Sequence, residues 1–274
     1  MTMDYNANYR PHQPDFELKP KYHNYKPTPN DPLYGVIWEI YQFDYINGDS
    51  DNHPFIGVIP DACADFMITY TNQGMSSYIT GSATQYALLS KITSIGTLFG
   101  IRFCSGALGN LFKVSAKDVA GRLIDGMDAI QNRNDLIGRL ELAESFEERL
   151  KIVYDYFAKR IVGNYETVPL VDYSVRYIIN HFGNVNVSSL EDLTGYTSRY
   201  IRKVFDEYVG VSPKLLSEIV KFQWSYYMYS TAEDKINLAE LAAICGYYDQ
   251  AHMNKVYKKF TNTLLKNLPK ITDL

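Results

Sequence analysis

Two groups of basic and amide side chains recur at helical spacing in the C-terminal part of this 274-residue sequence. Arg199, Arg202 and Lys203 are spaced i, i+3, i+4 and therefore share one helix face. The second face is formed by Gln250, Asn254, Lys255 and Lys258. Arg and Lys can donate to guanine O6 and N7, and Asn and Gln can pair with adenine. Both faces could read DNA base edges, although either alone could also be a solvated helix face.

The elements that carry these faces are repeated along the chain. Ser188–Glu191 fits a capping box that opens a short helix ending near Gly195, and a second helix begins at Thr197. This order is that of a helix-turn-helix unit. The apolar positions Leu190, Leu193, Ile201, Val204, Phe205 and Tyr208 recur 51 or 52 residues later as Leu241, Ile244, Met253, Val256, Tyr257 and Phe260. Because both units carry a basic face, the DNA interpretation is favoured over a solvated face.

A long helix is predicted between the two units. Ser212-Pro213 caps it, with Pro at the first helical position, and it runs to about Tyr229. At about 1.5 Å per residue it is roughly 25 Å long. Successive major grooves on one face of B-DNA lie about 34 Å apart, so this rod and its flanking helices could hold two reading helices in successive grooves. The predicted DNA contacts also include Thr197, Tyr200 and His252.

Residues 172–268 resemble the AraC/XylS family of bacterial transcription regulators. The longest match is Gly246–Phe260 (GYYDQAHMNKVYKKF), with support from Ser198–Phe205 and Gly210–Pro213. The resemblance implies double-stranded DNA as the partner and RNA polymerase as a second partner of an activator. It also implies base reading at Arg199, Arg202, Lys203, Gln250, Asn254 and Lys255. Two departures are Asn262, which replaces a Gly after the last matched helix, and Lys221, which stands where the family prefers Arg.

The N-terminal half has the pattern of a β-rich domain. From Leu33 to about Ile124, short apolar runs alternate with Gly, Asn and Asp, which favours strands. Val58–Phe66 and Gly100–Phe103 resemble parts of a domain of unassigned function that precedes the DNA-binding pair in some family members. In the wider family such halves are often cupin-like domains that bind a small effector, which implies a jelly-roll-like barrel.

Four N-terminal side chains are candidates for binding that effector. Asp61, Cys63 and Asp65 alternate and would share one strand face, and Arg102 could bind a carboxylate or phosphate. The structural alternative is that the acids end a strand or cap a turn and that Arg102 pairs with one of them. A different functional class is also open: a DNA-targeted redox sensor or repair-type protein that uses Cys63 and Cys104, unless both are small buried apolar residues. In a third alternative, the N-terminal half binds a protein or only dimerises.

Composition does not exclude DNA. The chain holds 27 Lys+Arg and 31 Asp+Glu, a net charge of −4. Residues 166–274 hold 12 of each sign, so the excess acid lies in residues 1–165. Three widely spaced cysteines predict no disulfide framework, and the histidines lack metal-ligand spacing, so we expect no metal, no cofactor and no enzymatic activity. No stretch reaches the roughly 20 apolar residues of a spanning helix, and no secretory signal is evident, which predicts a cytoplasmic protein without a membrane partner.

The predicted fold class is α+β. We expect a flexible arm (1–30), a β-rich, cupin-like sensor domain (31–125), a helical connector (126–165) and an all-α domain of two helix-turn-helix units joined by a long helix (166–274). The connector helix is capped by Ser145 and carries an apolar stripe that includes Val153 and Phe157. That stripe packs within the chain or, in the alternative, against a second copy in a homodimer.

Overall fold

The computed structural model describes residues 9–45, 56–89, 96–112, 114–126, 133–232 and 236–270. Residues 1–8 of the predicted arm and 127–132 of the predicted connector lie outside this part. The strands are β1 (His23–Tyr25), β2 (Ile37–Tyr45), β3 (Gly57–Val58), β4 (Ala64–Thr71), β5 (Gly74–Thr80), β6 (Ala87–Leu88), β7 (Gly96–Phe103) and β8 (Leu123–Asp125). The first helices are α1 (Pro14–Glu17), α2 (Leu108–Leu111), α3 (Ala116–Val119), α4 (Arg133–Leu142) and α5 (Phe146–Asn164). The C-terminal helices are α6 (Pro169–Asn180), α7 (Ser189–Thr194), α8 (Ser198–Tyr208), α9 (Pro213–Thr231), α10 (Leu238–Ile244) and α11 (Gln250–Thr261).

The strands form one antiparallel sheet of six, in the order β1-β2-β7-β4-β5-β8, and a separate β3-β6 pair. β4 and β5 form a hairpin, in which Thr71 pairs with Gly74. An N-terminal antiparallel sheet followed by a helical C-terminal part confirms the predicted α+β class. In the described residues the second layer on one face of the large sheet is helical, unlike the two facing sheets of a jelly roll.

The helical layer is formed by α4 and α5. Phe66, Ile101 and Phe103 of the sheet share a buried cluster with Val153 and Phe157 of α5. The predicted cap is present, since Ser145 Oγ accepts a hydrogen bond from Glu148 N at 3.2 Å. The apolar stripe of the connector helix is therefore buried within this chain, as in the intramolecular alternative.

The opposite face of the sheet is covered by residues 9–17 and the β3-β6 pair. The Phe16 ring of α1 lies 5.4 Å from that of Tyr41 and 5.3 Å from that of Phe43. Gly100 makes room for Tyr41, because a Cβ at Gly100 would lie 2.1 Å from Tyr41 Cζ. Residues 9–17 of the predicted flexible arm are thus packed on the sheet, and β1 of the same segment forms the edge strand of the sheet. Those prolines restrict the local backbone, whereas distant contacts order the segment.

A buried row of charges crosses this face. In the strand register Arg102 of β7 stands opposite Glu39 of β2 and Asp65 of β4. Arg102 Nε donates to Asp65 Oδ1 at 3.2 Å and lies 3.6 Å from Asp61 Oδ2, while Nη1 lies 3.7 Å from Glu39 Oε2. Arg102 is 1% exposed. Its charge is therefore compensated by three carboxylates rather than by water.

The C-terminal helices share one core centred on α9, whose Leu216, Ile219 and Phe222 are fully buried. Gln223 of α9 connects this core to the N-terminal half. It accepts from His12 N at 2.9 Å and donates to Pro60 O at 2.8 Å. Because Gln223 is itself buried, these bonds fix α9 against the N-terminal segment.

The first C-terminal helix, α6, begins at a proline. Pro169 takes the first helical turn, and Val168 is the cap residue. Asp172 lies inside the first turn, where its carboxylate accepts from Arg176 Nε at 2.8 Å and forms an i,i+4 ion pair.

We expect Arg102→Met to lower the free energy of unfolding by about 3–5 kcal/mol, because it leaves Glu39, Asp61 and Asp65 buried without their cation. Urea unfolding measures this loss, with Arg139→Met on the exposed side of α4 as the control. Adding Asp65→Asn to Arg102→Met should recover part of the loss. A loss no larger than that of the control would contradict the compensating role of Arg102.

Candidate nucleic-acid interface

The first helix-turn-helix unit consists of α7 and α8. Gly195 joins them in the left-handed region, at φ 72°, where a residue with a Cβ is disfavoured. Leu190 of α7 and Ile201 and Phe205 of α8 are buried in the C-terminal core. The remaining face of α8 is turned away from that core and is available to a partner.

The cap of α7 differs from the predicted capping box. Ser188 makes no side-chain cap bond; instead its backbone N donates to Asn186 Oδ1 at 3.2 Å. Glu191 Oε1 accepts from Ser198 N at the start of α8, and this hydrogen bond lowers the pKa of Glu191. The acid therefore ties the two helices of the unit together rather than closing one cap.

The predicted reading face of α8 is exposed, with Arg199, Arg202 and Lys203 all open to solvent. Thr197 caps the helix, since its Oγ1 accepts from Tyr200 N at 3.4 Å. The Tyr200 ring stacks on that of Tyr196, with 5.1 Å between centroids. The structure thus brings all five predicted α8 residues, Thr197, Arg199, Tyr200, Arg202 and Lys203, to the N-terminal part of one helix.

The second unit, α10 and α11, repeats this design. Asn237 and Asp249 cap the two helices through their side chains. Gly246 takes φ 73° in the turn, and Lys221 of α9 donates to Gly246 O at 2.9 Å. Lys221, which replaces the Arg of the family pattern, therefore holds the turn of the second unit. The left-handed Asn262, at φ 58°, ends α11 as the family Gly would.

The predicted contact residues of α11 differ in their exposure and in their packing against neighbouring residues. Gln250, Lys255 and Lys258 are exposed, and Asn254 is half-buried. His252 is exposed, but its Nδ1 lies 3.3 Å from Tyr248 N and its ring meets that of Tyr247 edge-on. His252 thus also packs within its own turn, a contact that helical spacing alone does not reveal.

The α8 face also lines a cleft of about 620 Å³. Its walls are formed by Ser115, Lys117, Arg199, Arg202, Lys203, Asp206 and Glu207. Ser115 and Lys117 belong to the N-terminal half and were not predicted as site residues. No periodicity or motif marks Lys117 in the sequence, so only the tertiary packing of α3 on α8 reveals its position.

The predicted effector residues lie together but are inaccessible. Asp61, Cys63, Asp65 and Arg102 are all buried and line neither of the two cavities described for this chain. Burial raises the pKa of Asp65 to about 6, an effect that nearby Asp61 reinforces and Arg102 opposes. Asp61 Oδ1 accepts from Cys63 N at 3.0 Å, so this acid also holds a turn. This arrangement fits the alternative in which the acids hold a turn and Arg102 pairs with one of them, rather than an effector site.

The cysteines are buried free thiols. Burial raises the pKa of Cys63 and of Cys104 well above the ordinary thiol value. A buried thiol with a raised pKa holds little thiolate at neutral pH, and the thiolate is the reactive form. Within the described residues, no cluster of three or more His, Cys, Asp or Glu side chains could hold a metal ion.

A second cavity of about 300 Å³ lies where the N-terminal half, the end of α5 and α6 meet. Aliphatic side chains, including Val36, Ile161 and Val171, form much of its wall. Thr167 and Arg176 add polar groups. This volume is at the lower end of the range for small-molecule sites.

No helix in the described part of the chain is long and apolar enough to cross a membrane.

Residues 25–125 match the family model of a domain of unknown function, DUF6597. The match confirms the predicted resemblance of the N-terminal half to a domain of unassigned function. A comparison with curated proteins gives no match.

Several solved structures are similar to this chain. One is the xylose-binding transcription activator XylR, at 23% identity and a TM-score of 0.33, over 39% of this chain and 28% of that one. Another is ToxT from Vibrio cholerae with a bound unsaturated fatty acid, at 12% identity and a TM-score of 0.44, over 87% of this chain and 97% of that one. A third is ToxT bound to a methylnaphthalenyl butenoic acid, at 14% identity and a TM-score of 0.41, over 89% and 94%. This chain thus spans well under two thirds of the XylR chain.

Asp249→Ala should lower the free energy of unfolding by about 1 kcal/mol. The backbone N of His252 donates to Asp249 Oδ1 at 2.6 Å in the parent chain, and the variant lacks this acceptor. Asp249→Ser retains a hydroxyl acceptor and should stay within a few tenths of a kcal/mol of the parent chain. Thermal or urea unfolding compares the two variants. Equal losses in both would show that the cap does not stabilise α11.

Proposed function

We propose that this chain is a one-component transcription regulator of the AraC/XylS type that binds specific double-stranded DNA. The observation that carries the proposal is the pair of exposed faces on α8 and α11, each on the second helix of a repeated unit. Arg199, Arg202 and Lys203 supply guanine and phosphate donors on one face. Gln250, Asn254, Lys255 and Lys258 supply adenine, guanine and phosphate contacts on the other.

The long helix supports binding of both units to one duplex. α9 contains 19 residues and is therefore about 28 Å long at about 1.5 Å per residue. Both units pack on α9, and Lys221 fixes the turn of the second unit to it. We propose that α8 and α11 enter successive major grooves, which lie about 34 Å apart on one DNA face.

The N-terminal half is the proposed regulatory part. The four predicted effector residues are occupied by their own buried network, so we place the effector in the 300 Å³ cavity instead. The cavity joins the N-terminal half to α6, the first helix of the DNA-binding part, so a ligand there would bias their packing. Its wall combines aliphatic side chains with polar ones, among them the paired Asp172 and Arg176, and therefore favours a small molecule that has both apolar and polar groups. Homodimerisation and, for an activator, contact with RNA polymerase complete the proposal.

The alternative function, a thiol-based sensor or repair-type protein, has less support. It requires a reactive thiolate at Cys63 or Cys104, whereas both thiols are buried and their pKa values are raised by that burial. Neither thiol therefore has the lowered pKa of a nucleophile, and a non-enzymatic regulator is the proposal retained.

Arg202→Ala should weaken operator binding by about 1–3 kcal/mol and relax the preference at one base pair, because Arg supplies a bidentate contact to guanine. The operator is first selected from a random-sequence pool of duplex DNA with the parent chain. Titration at fixed salt against this operator and its single-base variants then measures both effects. Arg139→Ala, an exposed Arg outside both units, is the matched control. Unchanged affinity and preference in Arg202→Ala would contradict the assignment of this face.

The effector cavity is tested by filling it from its rim. Thr167→Trp should place an indole in the cavity, because Thr167 is an exposed lining residue, whereas Glu166→Trp next to it leaves the cavity open. Native mass spectrometry of the purified chains should show a small-molecule adduct in the parent and in Glu166→Trp but not in Thr167→Trp. An equal adduct in both variants, or none in the parent chain, would refute this placement.

A further inference from the structure

Helix α3 belongs to the N-terminal half and is fixed there by backbone hydrogen bonds. Gly81 N, just after β5, donates to Val119 O at 2.9 Å, and Gly121 N donates to Ser82 O at 3.1 Å. Val119 is fully buried in the N-terminal core. The position of α3 therefore follows the end of β5 and the large sheet.

The same helix packs against the first DNA-binding unit. Gly210, which follows α8, approaches the α3 backbone so closely that a Cβ there would lie 2.6 Å from Ala116 O. Gly109 of α2 is close to Tyr208, since a Cβ at Gly109 would lie 3.6 Å from Tyr208 Cδ1. The Gly210 contact thus places the α3 backbone against the chain that leaves α8, and Gly109 places α2 next to it.

The cleft between α3 and α8 is rich in cations. Lys117 of α3 lines it together with Arg199, Arg202 and Lys203, and two acids, Asp206 and Glu207, line it from the C-terminal half of α8. Among the residues that the structure describes, none forms an ion pair with any of these four cations. Lys117 is exposed, so its ammonium is available to an anion from outside the chain.

The dimensions of the DNA major groove indicate which anion would lie beside a helix bound in it. The major groove of B-DNA is about 12 Å wide, and an α-helix with its side chains is about 10–12 Å across. A helix that fills the groove therefore has a sugar-phosphate strand directly along each side. Because Lys117 of α3 lines the same cleft as Arg202 and Lys203 of the α8 face, its ammonium lies beside α8, where such a strand would pass.

We propose that Lys117 of the N-terminal half contacts a DNA phosphate beside the groove that α8 occupies. This inference rests on the proposed function and extends the DNA interface beyond the two helix-turn-helix units. A phosphate contact positions the protein on DNA without reading sequence. It also connects regulation to binding, because any shift of the sheet that moves α3 moves a DNA contact relative to α8.

The test measures how DNA affinity of the full chain depends on salt. Removing one phosphate contact lowers the slope of log affinity against log salt by about 0.9, which corresponds to about a fivefold loss at about 0.15 M salt. Lys117→Ala should show both changes for the operator and for an unrelated duplex alike. Lys117→Arg should restore them, and Lys159→Ala, an exposed lysine of α5, should leave both unchanged.

The outcomes separate this inference from the proposed function. If Lys117→Ala leaves affinity and slope unchanged while Arg202→Ala weakens operator binding, the phosphate contact is refuted and the reading face stands. If Lys117→Ala raises affinity, α3 obstructs the groove and the contact is refuted as well. If neither the parent chain nor any variant binds duplex DNA, the proposed function itself fails. Thermal unfolding of each variant confirms that the chains compared are folded.

Discussion

A guanidinium that is excluded from water constrains how the N-terminal half packs. Arg102 must be surrounded by acceptors, and the strand register supplies Glu39 and Asp65 on either side of it. Asp61 joins from the loop before β4, and its Oδ2 accepts from Gln13 Nε2 at 2.9 Å. The residue before Gln13, His12, forms hydrogen bonds with the Gln223 side chain of α9 through its backbone N and O. A continuous polar path therefore leads from the centre of the sheet to α9, the helix that joins both helix-turn-helix units.

This path explains why the early proline-rich segment is ordered although its sequence predicts a flexible arm. The prolines exclude long helices and central strands, which is a local restriction. The contacts that fix the segment join residues as distant in sequence as His12 and Gln223, 211 positions apart. No periodicity within residues 9–30 encodes that pairing. The two repeated units, in contrast, follow from local signals, namely the left-handed glycines, the caps at Thr197 and Asp249, and the apolar spacing of α8 and α11.

The candidate site shows the same division between local and distant information. The exposed faces of α8 and α11 follow from helical spacing, because burying one stripe of an amphipathic helix exposes the other. The spacing of Glu191 predicts a capping box, whereas its carboxylate accepts a hydrogen bond from the backbone N of Ser198 in the next helix. Likewise, Arg102 and its acids have a pattern that fits either a ligand site or a buried ion cluster. Burial decides between these alternatives, and burial is a property of the packed layers rather than of the strand sequence.

Two of the contacts between the N-terminal half and the C-terminal helices differ in what they position. Gln223 lies on α9, which carries both units, so bonds to it bear on how the two units are held together. Helix α3 packs on α8 itself, so its position bears on the first unit alone. The cavity formed with α6 is a third meeting place of the two halves, and a Cβ on Gly106 there would lie 2.9 Å from a Val171 methyl group. The backbone at Gly106 therefore approaches α6 without a side chain that could give way. Under the proposed regulation, a ligand larger than the cavity would have to move the N-terminal half relative to α6.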